Sequence, residues 1–170
     1  MTAVFPSAYF PCISYLKAYL AHEKPSIELF EHYPKQTLRN RCDIATSNGK
    51  LRLSIPIKKP FGSKSLMKDI LIDQNAQWQK EHWRSIRTAY AGAPYFEEYA
   101  NDIEALINTE HRHLISLNAS ILEFIYQVLD LTYIKEETSE YLNSAIQDVR
   151  AHDFGKQITS PGYIQVFNES

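Results

Sequence analysis

The first half of the chain alternates apolar and polar residues, whereas the second half repeats apolar residues at helical spacing. Alternation with a period of two is typical of half-buried strands. The turn Asn48-Gly49 is a strong hairpin signal between two such runs. Strands are predicted at 26–30, 43–46, 51–57 and, less regularly, 67–73.

Helices are predicted where apolar residues recur every three or four positions. Prolines and Gly92 mark several of their boundaries. The predicted helices cover 11–22, 73 or 75 to 91, 94–107 and 114–129, with short strands at 133–135 and near 160–167. Strands followed by helices indicate an α+β fold, in which a small mixed or antiparallel sheet packs against a C-terminal helical layer. We expect one domain, residues 1–170.

Composition and charge limit the classes of partner and the cellular compartment that we expect. The 170 residues carry a net charge of −2. The chain as a whole is therefore not basic, and we expect no nucleic acid partner. The N-terminus has neither a cationic region nor a long apolar core typical of a signal peptide. No apolar run approaches the length of a membrane span. We therefore expect a cytoplasmic protein without stable membrane insertion, and the oligomeric state stays open.

Metal and cofactor chemistry have little support in the sequence. The two cysteines, Cys12 and Cys42, form no CxxC pair, and the histidines have no ligand partners at useful spacing. The five glycines are scattered, so a glycine-rich phosphate loop is absent from the sequence. We expect neither a metal nor a cofactor.

The most distinctive stretch is cationic and contains Lys35, Arg39 and Arg41. On a helix, Lys35 and Arg39 would share a face, and on a strand Arg39 and Arg41 would. Either arrangement brings cations together, and the planar fork of arginine suits phosphate or carboxylate. The alternative is a solvated basic surface paired with Glu28 and Glu31.

A second basic segment, Lys58 to Lys64, contains Lys58, Lys59, Phe61 and Lys64. Its composition is typical of a mobile loop. The segment could be a solvated connector or a lid that closes over an anionic substrate.

Two residues carry the candidate acid/base and nucleophilic chemistry. Neighbouring Arg41 would favour the thiolate of Cys42, so a Cys-His acyl transfer site with His82 is conceivable. The common alternative is a small buried thiol. His82 could act as a general base, or it could be a structural histidine in its helix. Burial of His82 against Trp78 would remove the base from the catalytic hypothesis.

Several separated motifs between about Val4 and Tyr99 match a known family. They are Tyr9-Phe10-Pro11 followed by Ser14-Tyr15-Leu16, Lys35-Gln36, Arg39-Asn40-Arg41, Ile55-Pro56-Ile57, Trp78-Gln79-Lys80, His82, Tyr90 and Ala93-Pro94-Tyr95-Phe96. On these residues the chain resembles the WbqC-like family, whose founding members are encoded in bacterial O-antigen gene clusters. The combination of Asn40-Arg41-Cys42, Asn48-Gly49 and His82-Trp83 resembles the Bacteroidetes branch.

The resemblance implies a transferase of surface polysaccharide (O-antigen) biosynthesis. It would transfer an acyl or aminoacyl group to an amino sugar on a nucleotide- or lipid-linked carrier. In that role an anionic substrate would be held by Lys35, Arg39 and Arg41, with Asn40 orienting the acceptor, Tyr9 and Tyr90 stacking, and His82 as the base. The alternatives are a non-catalytic binding or scaffold protein of the same pathway, or a Cys-His acyl hydrolase or transferase.

The chain also departs from the family pattern. Phe5 stands before the first proline, where the family often has glutamine, and Cys42 occupies a position where other members carry an aliphatic residue. The second departure weakens Cys42 as a nucleophile common to the family.

Overall fold

The computed structural model describes residues 3–142 and 148–150. Within these residues, four α-helices account for most of the regular structure, and three of them follow one another in the second half. The predicted helices are confirmed with somewhat tighter bounds. They are α1 (Ile13–Leu20), α2 (Trp78–Tyr90), α3 (Phe96–Asn108) and α4 (Leu114–Val128).

The strands of the described residues form three two-stranded sheets rather than one sheet. The first pair is parallel and the other two are antiparallel. The fold is therefore α+β, as predicted from the segregation of strands and helices. The strands are β1 (Ala3–Phe5) with β2 (Pro25–Ile27), β3 (Arg41–Thr46) with β4 (Gly49–Ser54), and β5 (Ile57–Lys58) with β6 (Leu71–Ile72).

The hairpin β3–β4 confirms the strongest local signal in the sequence. Thr46 pairs with Gly49 across the turn, and the register continues to Arg41 opposite Ser54. Gly49 has φ +104°, a backbone conformation that residues other than glycine rarely adopt. The hairpin sets the start of β3, and therefore Arg41, at the edge of the cationic stretch.

Several secondary-structure predictions need correction, and one falls outside the described residues. The strand predicted at 67–73 is a 3₁₀ turn, Met67–Asp69, followed by the two-residue β6, because Ile70, Met67 and Ile72 are all buried instead of alternating. Residues 133–135 are not a strand. The sequence reading also missed β1 and its parallel pairing with β2. The strand predicted near 160–167 lies outside the described residues.

Two apolar clusters form the interior. The larger packs α2, α3 and α4 against the hairpin and the segment 67–72. The smaller packs α1 and β1 against α4 through Phe5, Tyr15, Tyr19, Ile27 and Leu122. Both clusters share α4, so this most apolar helix joins the two halves of the described structure.

Backbone hydrogen bonds join the residues just before the cationic stretch to the residues just after the second basic segment. Met67 N–H donates to Glu31 O at 3.0 Å, and Tyr33 N–H donates to Ser65 O at 3.0 Å. A 3₁₀ turn, Gly62–Lys64, lies inside the basic segment. The predicted basic loop therefore contains a short 3₁₀ turn, and Ser65, directly after that segment, is hydrogen-bonded to Tyr33.

Candidate functional site

Arg39 is buried and fully engaged by a carboxylate. Its Nε donates to Glu31 Oε1 at 2.6 Å, and its Nη2 donates to Glu31 Oε2 at 2.7 Å. Nη1 also donates to Thr37 Oγ1 at 3.2 Å. Arg39 is 3% exposed, so this bidentate pair closes the loop between residues 31 and 39 from the inside. The structure thus places Arg39 as the partner of Glu31, which is the pairing that the alternative hypothesis named.

A second buried pair lies next to the first. Glu28 is 0% exposed, and its Oε2 accepts from Arg150 Nη1 at 3.0 Å. Glu28 Oε1 accepts from Phe30 N–H and from the Thr138 hydroxyl, both at 2.9 Å. The Arg150 carbonyl accepts from Arg39 Nη2 at 3.4 Å and joins the two pairs. We call Glu28, Glu31, Arg39 and Arg150 the arginine network.

Arg41 differs from Arg39 although it follows only two residues later. Its Nε is buried and has no hydrogen-bond partner among the described residues. The hydroxyl of Tyr33 is likewise buried without a partner in that part of the chain. Burial raises the pKa of Tyr33 to about 12, and the nearby cations Arg39 and Arg41 act against that rise. Arg41 is thus near enough to Tyr33 to act on it electrostatically, and each of the two residues has a buried polar group that lacks a hydrogen-bond partner among the described residues. Each unmet group costs free energy when water is excluded.

Two lysines complete the surroundings of Tyr33. Lys59 Nζ lies 4.7 Å from the centre of the Tyr33 ring. Partial burial, and then the neighbouring charge of Lys35, lower the pKa of Lys59. Lys59 thus lies at the Tyr33 ring, Arg41 acts on Tyr33 and Lys35 acts on Lys59. Because like charges repel, these three cations favour a bound anion. We call Tyr33, Lys35, Arg41 and Lys59 the anion cluster.

Asn40 lies between the two arginines but is turned inward. Its Nδ2 donates to Ile55 O at 2.9 Å, and Ile55 N–H donates back to Asn40 O at 2.8 Å. Asn40 is buried, and its amide nitrogen holds the start of β3 against residue 55, while its Oδ1 has no hydrogen-bond partner among the described residues. This position favours support of the neighbouring Arg41 over contact with an acceptor sugar.

His82 is buried on α2 beneath the hairpin. Its Nδ1 accepts from the Tyr9 hydroxyl at 2.8 Å, and its ring lies 5.2 Å from the Trp78 ring. Burial lowers the pKa of His82 to about 4, against the opposing effect of a backbone hydrogen bond with Ser54. Burial also raises the pKa of Tyr9 well above its ordinary value. At neutral pH the pair is uncharged and its polar atoms are satisfied, which favours a structural pair over an acid/base pair.

Cys42 lies on β3 next to Arg41 but faces the apolar cluster. Burial, and then the charge of Asp43, raise the pKa of the thiol to about 12. The neighbouring arginine therefore does not produce a thiolate at neutral pH. Among the described residues Cys42 forms no hydrogen bond with a histidine, and this geometry gives the Cys-His hypothesis no support.

Tyr90 is the last residue of α2 and contacts the hairpin. Its hydroxyl accepts from Ala45 N–H at 3.2 Å, so the helix end and β3 are joined. Apart from Arg39 and Asn40, which support the loop and the start of β3, the predicted site residues fall into two groups. Tyr9, Cys42, His82 and Tyr90 lie around α2 and the inner face of β3, whereas Lys35 and Arg41 belong to the anion cluster.

The sequence reading missed Tyr33 and placed Lys59 only within a basic loop. A tyrosine in an irregular segment carries no periodic signal, and its role depends on the docking of Ser65 beside it. Within residues 3–142 and 148–150 no group of histidine, cysteine or acidic side chains could hold a metal ion. In the same residues no helix is long and apolar enough to cross a membrane.

The described residues thus form an α+β fold that contains two arginine–glutamate pairs. Sequence comparison shows the family to which the chain belongs. The profile of the WbqC-like protein family matches residues 7–167, so the chain belongs to that family. An uncharacterized protein of Mycobacterium tuberculosis, Rv1507c, is 26% identical over 125 residues, which are 73% of this chain and 51% of that protein. The chain thus spans about half the length of this relative. No solved structure matches.

Proposed function

We propose that this protein is a cytoplasmic transferase of surface polysaccharide (O-antigen) biosynthesis that holds the phosphate of a nucleotide- or lipid-linked sugar at the anion cluster. The acyl or aminoacyl group of an activated donor would pass to an amino group of that sugar, forming an amide as the bond to the donor's activating group breaks and the amine proton passes to water. Membership of the WbqC-like family supports the pathway. The observation that carries the site is the pair of buried donors, Arg41 Nε and Tyr33 Oη, that have no hydrogen-bond partner within residues 3–142 and 148–150.

The chemistry of the cluster fits an oxyanion. Arg41 Nε–H and the Tyr33 hydroxyl are donors, and Lys35 and Lys59 add positive charge beside them. Tyr33 keeps its proton at neutral pH because its pKa is about 12. A phosphate oxygen between the two donors would satisfy both, and charge-assisted hydrogen bonds of this kind are the stronger ones.

The arginine network supports the cluster from beneath. The Glu31–Arg39 pair fixes both ends of the loop that carries Tyr33 and Lys35. Because Arg39 is already saturated by Glu31, it supplies position instead of ligand contact. The phosphate site therefore differs from the predicted clamp by exchanging Arg39 for Tyr33 and Lys59.

A second candidate function has its own supporting observation. His82 is paired with Tyr9, and the thiol of Cys42 has a pKa of about 12, so neither offers an evident base or nucleophile. This favours a non-catalytic protein of the same pathway that binds the carrier for another enzyme. Both candidates require the phosphate site, and they differ in turnover.

The test is a thermal-shift titration of nucleotide sugars, lipid phosphate analogues and acyl phosphates against wild type and Arg41→Ala. Ligands that bind the native state raise Tm by mass action. We expect at least one phosphate-bearing class to raise Tm in wild type, and the shift to fall in Arg41→Ala. Arg52→Ala is the matched control, because Arg52 is an exposed arginine of the same hairpin that pairs with Asp43.

An equal loss in Arg41→Ala and Arg52→Ala, or an unchanged shift in a folded Arg41→Ala protein, would contradict the phosphate site. Acyl transfer measured with the ligand class found then separates the two candidates. Turnover supports the transferase, and binding without turnover supports the carrier-binding protein.

A further inference from the structure

Phe61 is an exposed aromatic ring at the edge of the anion cluster. Its side chain is 65% exposed, although most phenylalanines of the described residues are at least partly buried. A single exposed ring is ordinary on a protein surface, so what distinguishes Phe61 is its place on a turn among lysines. Its immediate neighbours are Pro60 and Gly62, and the segment is flanked by Lys59 and Lys64.

The turn holds Phe61 in place. Phe61 N–H donates to Ser65 Oγ at 2.9 Å, and Gly62 N–H donates to Lys59 O at 3.2 Å. Lys64 N–H then donates to Phe61 O at 3.1 Å. Gly62 has φ +58°, which a glycine adopts without strain. These hydrogen bonds hold the backbone of the turn, so a ligand that stacks on the ring does not have to order this backbone.

Ser65 places this turn directly beside Tyr33. The Ser65 hydroxyl accepts from Phe61 N–H, and the Ser65 carbonyl accepts from Tyr33 N–H at 3.0 Å. Lys59, two residues before Phe61, also reaches the Tyr33 ring. One buried serine thus joins the backbone of the exposed ring to the backbone of the unpartnered hydroxyl.

The surroundings favour a planar ring as the occupant of this position. A long isoprenoid chain needs an extended apolar surface, whereas Phe61 is a single ring between polar and cationic residues. A nucleobase needs one flat face, and stacking on an aromatic side chain contributes strongly to nucleotide binding. A phosphate attached to that base would lie within reach of the cations next to it.

We infer that the phosphate held at the anion cluster is that of a nucleotide, whose base stacks on Phe61. This rests on the proposed phosphate site and chooses the nucleotide-linked carrier over the lipid-linked one. The juxtaposition that carries it is the exposed Phe61 ring on a turn that contains Lys59 and whose backbone is joined to that of Tyr33 through Ser65.

The experiment is calorimetric titration of UMP, AMP, ribose 5-phosphate and geranyl phosphate into wild type, Phe61→Ala and Tyr99→Ala. Tyr99 on α3 provides an exposed aromatic control. We expect one or both nucleotides to bind about tenfold more tightly than ribose 5-phosphate. Phe61→Ala should remove that advantage and leave the affinity for ribose 5-phosphate unchanged, whereas Tyr99→Ala should change neither.

Equal affinities of the nucleotides and ribose 5-phosphate would overturn the inference and leave the phosphate site standing. Tighter binding of geranyl phosphate than of both nucleotides would do the same and would assign the lipid-linked carrier. A nucleotide advantage that survives in Phe61→Ala would place the base elsewhere and also overturn it. Absence of binding by all four compounds would contradict the phosphate site itself.

Discussion

Arg39 and Arg41 are two residues apart and have the same side chain, yet the fold treats them in opposite ways. Arg39 is buried and bound by both oxygens of Glu31. Among the described residues, neither the buried Nε of Arg41 nor the hydroxyl of Tyr33 has a hydrogen-bond partner, and Arg41 acts electrostatically on Tyr33. A buried charge that is fully paired is typical of structure, and buried donors left open beside other cations are typical of a ligand site. The comparison predicts different consequences for changes in each region.

The largest effect should come from breaking the arginine network. Arg39→Met leaves Glu31 buried without its partner, and we expect a loss of about 3–5 kcal/mol in the free energy of unfolding. Arg41→Met, which removes an unsatisfied donor, should change that free energy by less than about 1 kcal/mol. Urea unfolding of the two variants measures the difference. Equal destabilisation would show that Arg41 also serves structure.

The next largest effect concerns His82 and pH. Its folded pKa of about 4 lies below the ordinary 6.5, so the unfolded chain binds the proton more tightly. Stability from this group is therefore complete above pH 6.5 and falls as the pH drops towards 4, by at most roughly 3 kcal/mol. Unfolding free energies measured from pH 7 to pH 4 should show this slope.

His82→Gln should flatten the pH profile, even if it lowers stability at pH 7. His111→Gln is the control. Burial also lowers the pKa of His111, and its buried Nε2 has no hydrogen-bond partner among the described residues. If the profile of His82→Gln has the wild-type slope, His82 is not the group that titrates.

A smaller effect should separate two buried tyrosines. Tyr9→Phe leaves His82 Nδ1 without its donor, so we expect a loss of about 1–3 kcal/mol. Tyr33→Phe removes a hydroxyl that has no partner, and the free energy of unfolding should stay within about 1 kcal/mol of wild type. Phosphate-ligand affinity should nevertheless fall in Tyr33→Phe. Thermal unfolding with and without ligand measures both quantities, and the reverse ranking of the two variants would contradict the assignment of the open hydroxyl.

The smallest effect is expected at the exposed ion pair on the hairpin. Arg52 Nε donates to Asp43 Oδ1 at 2.7 Å, and both side chains are accessible to water. Exposed pairs contribute little, so Arg52→Ala should change the free energy of unfolding far less than Arg39→Met does. Urea unfolding of this variant sets the baseline for removing an arginine without a buried partner. A loss comparable to that of Arg39→Met would mean that burial does not explain the difference between the arginines.

The sequence predicted those parts of the fold that depend on local signals. Asn48-Gly49 fixed the hairpin, and the apolar spacing of 114–129 predicted α4 almost to its bounds. The parallel pairing of β1 with β2 was missed, because Ala3–Phe5 is too short to carry a pattern and is held by long-range contacts, among them Val149 N–H to Val4 O.

The candidate site was predictable in its charge and not in its geometry. Lys35 and Arg41 were expected to contact an anion, but the sequence could not show that Glu31 occupies Arg39. Tyr33 and Lys59 are 26 residues apart in the chain, and tertiary docking alone brings them together. For the same reason the burial that lowers the pKa of His82 and raises that of Cys42 could not be read from their neighbours.

The most direct test observes the two arginines in one experiment. The side-chain Nε–H resonances of Arg39 and Arg41 can be assigned in ¹⁵N-labelled protein by comparison with Arg39→Lys and Arg41→Lys, and then followed during titration with ribose 5-phosphate. We expect the Arg41 resonance to shift with saturation while the Arg39 resonance stays in place, because Glu31 already holds it. Movement of the Arg39 resonance alone, or of neither, would contradict the claim that Arg41 and its cluster form the ligand site.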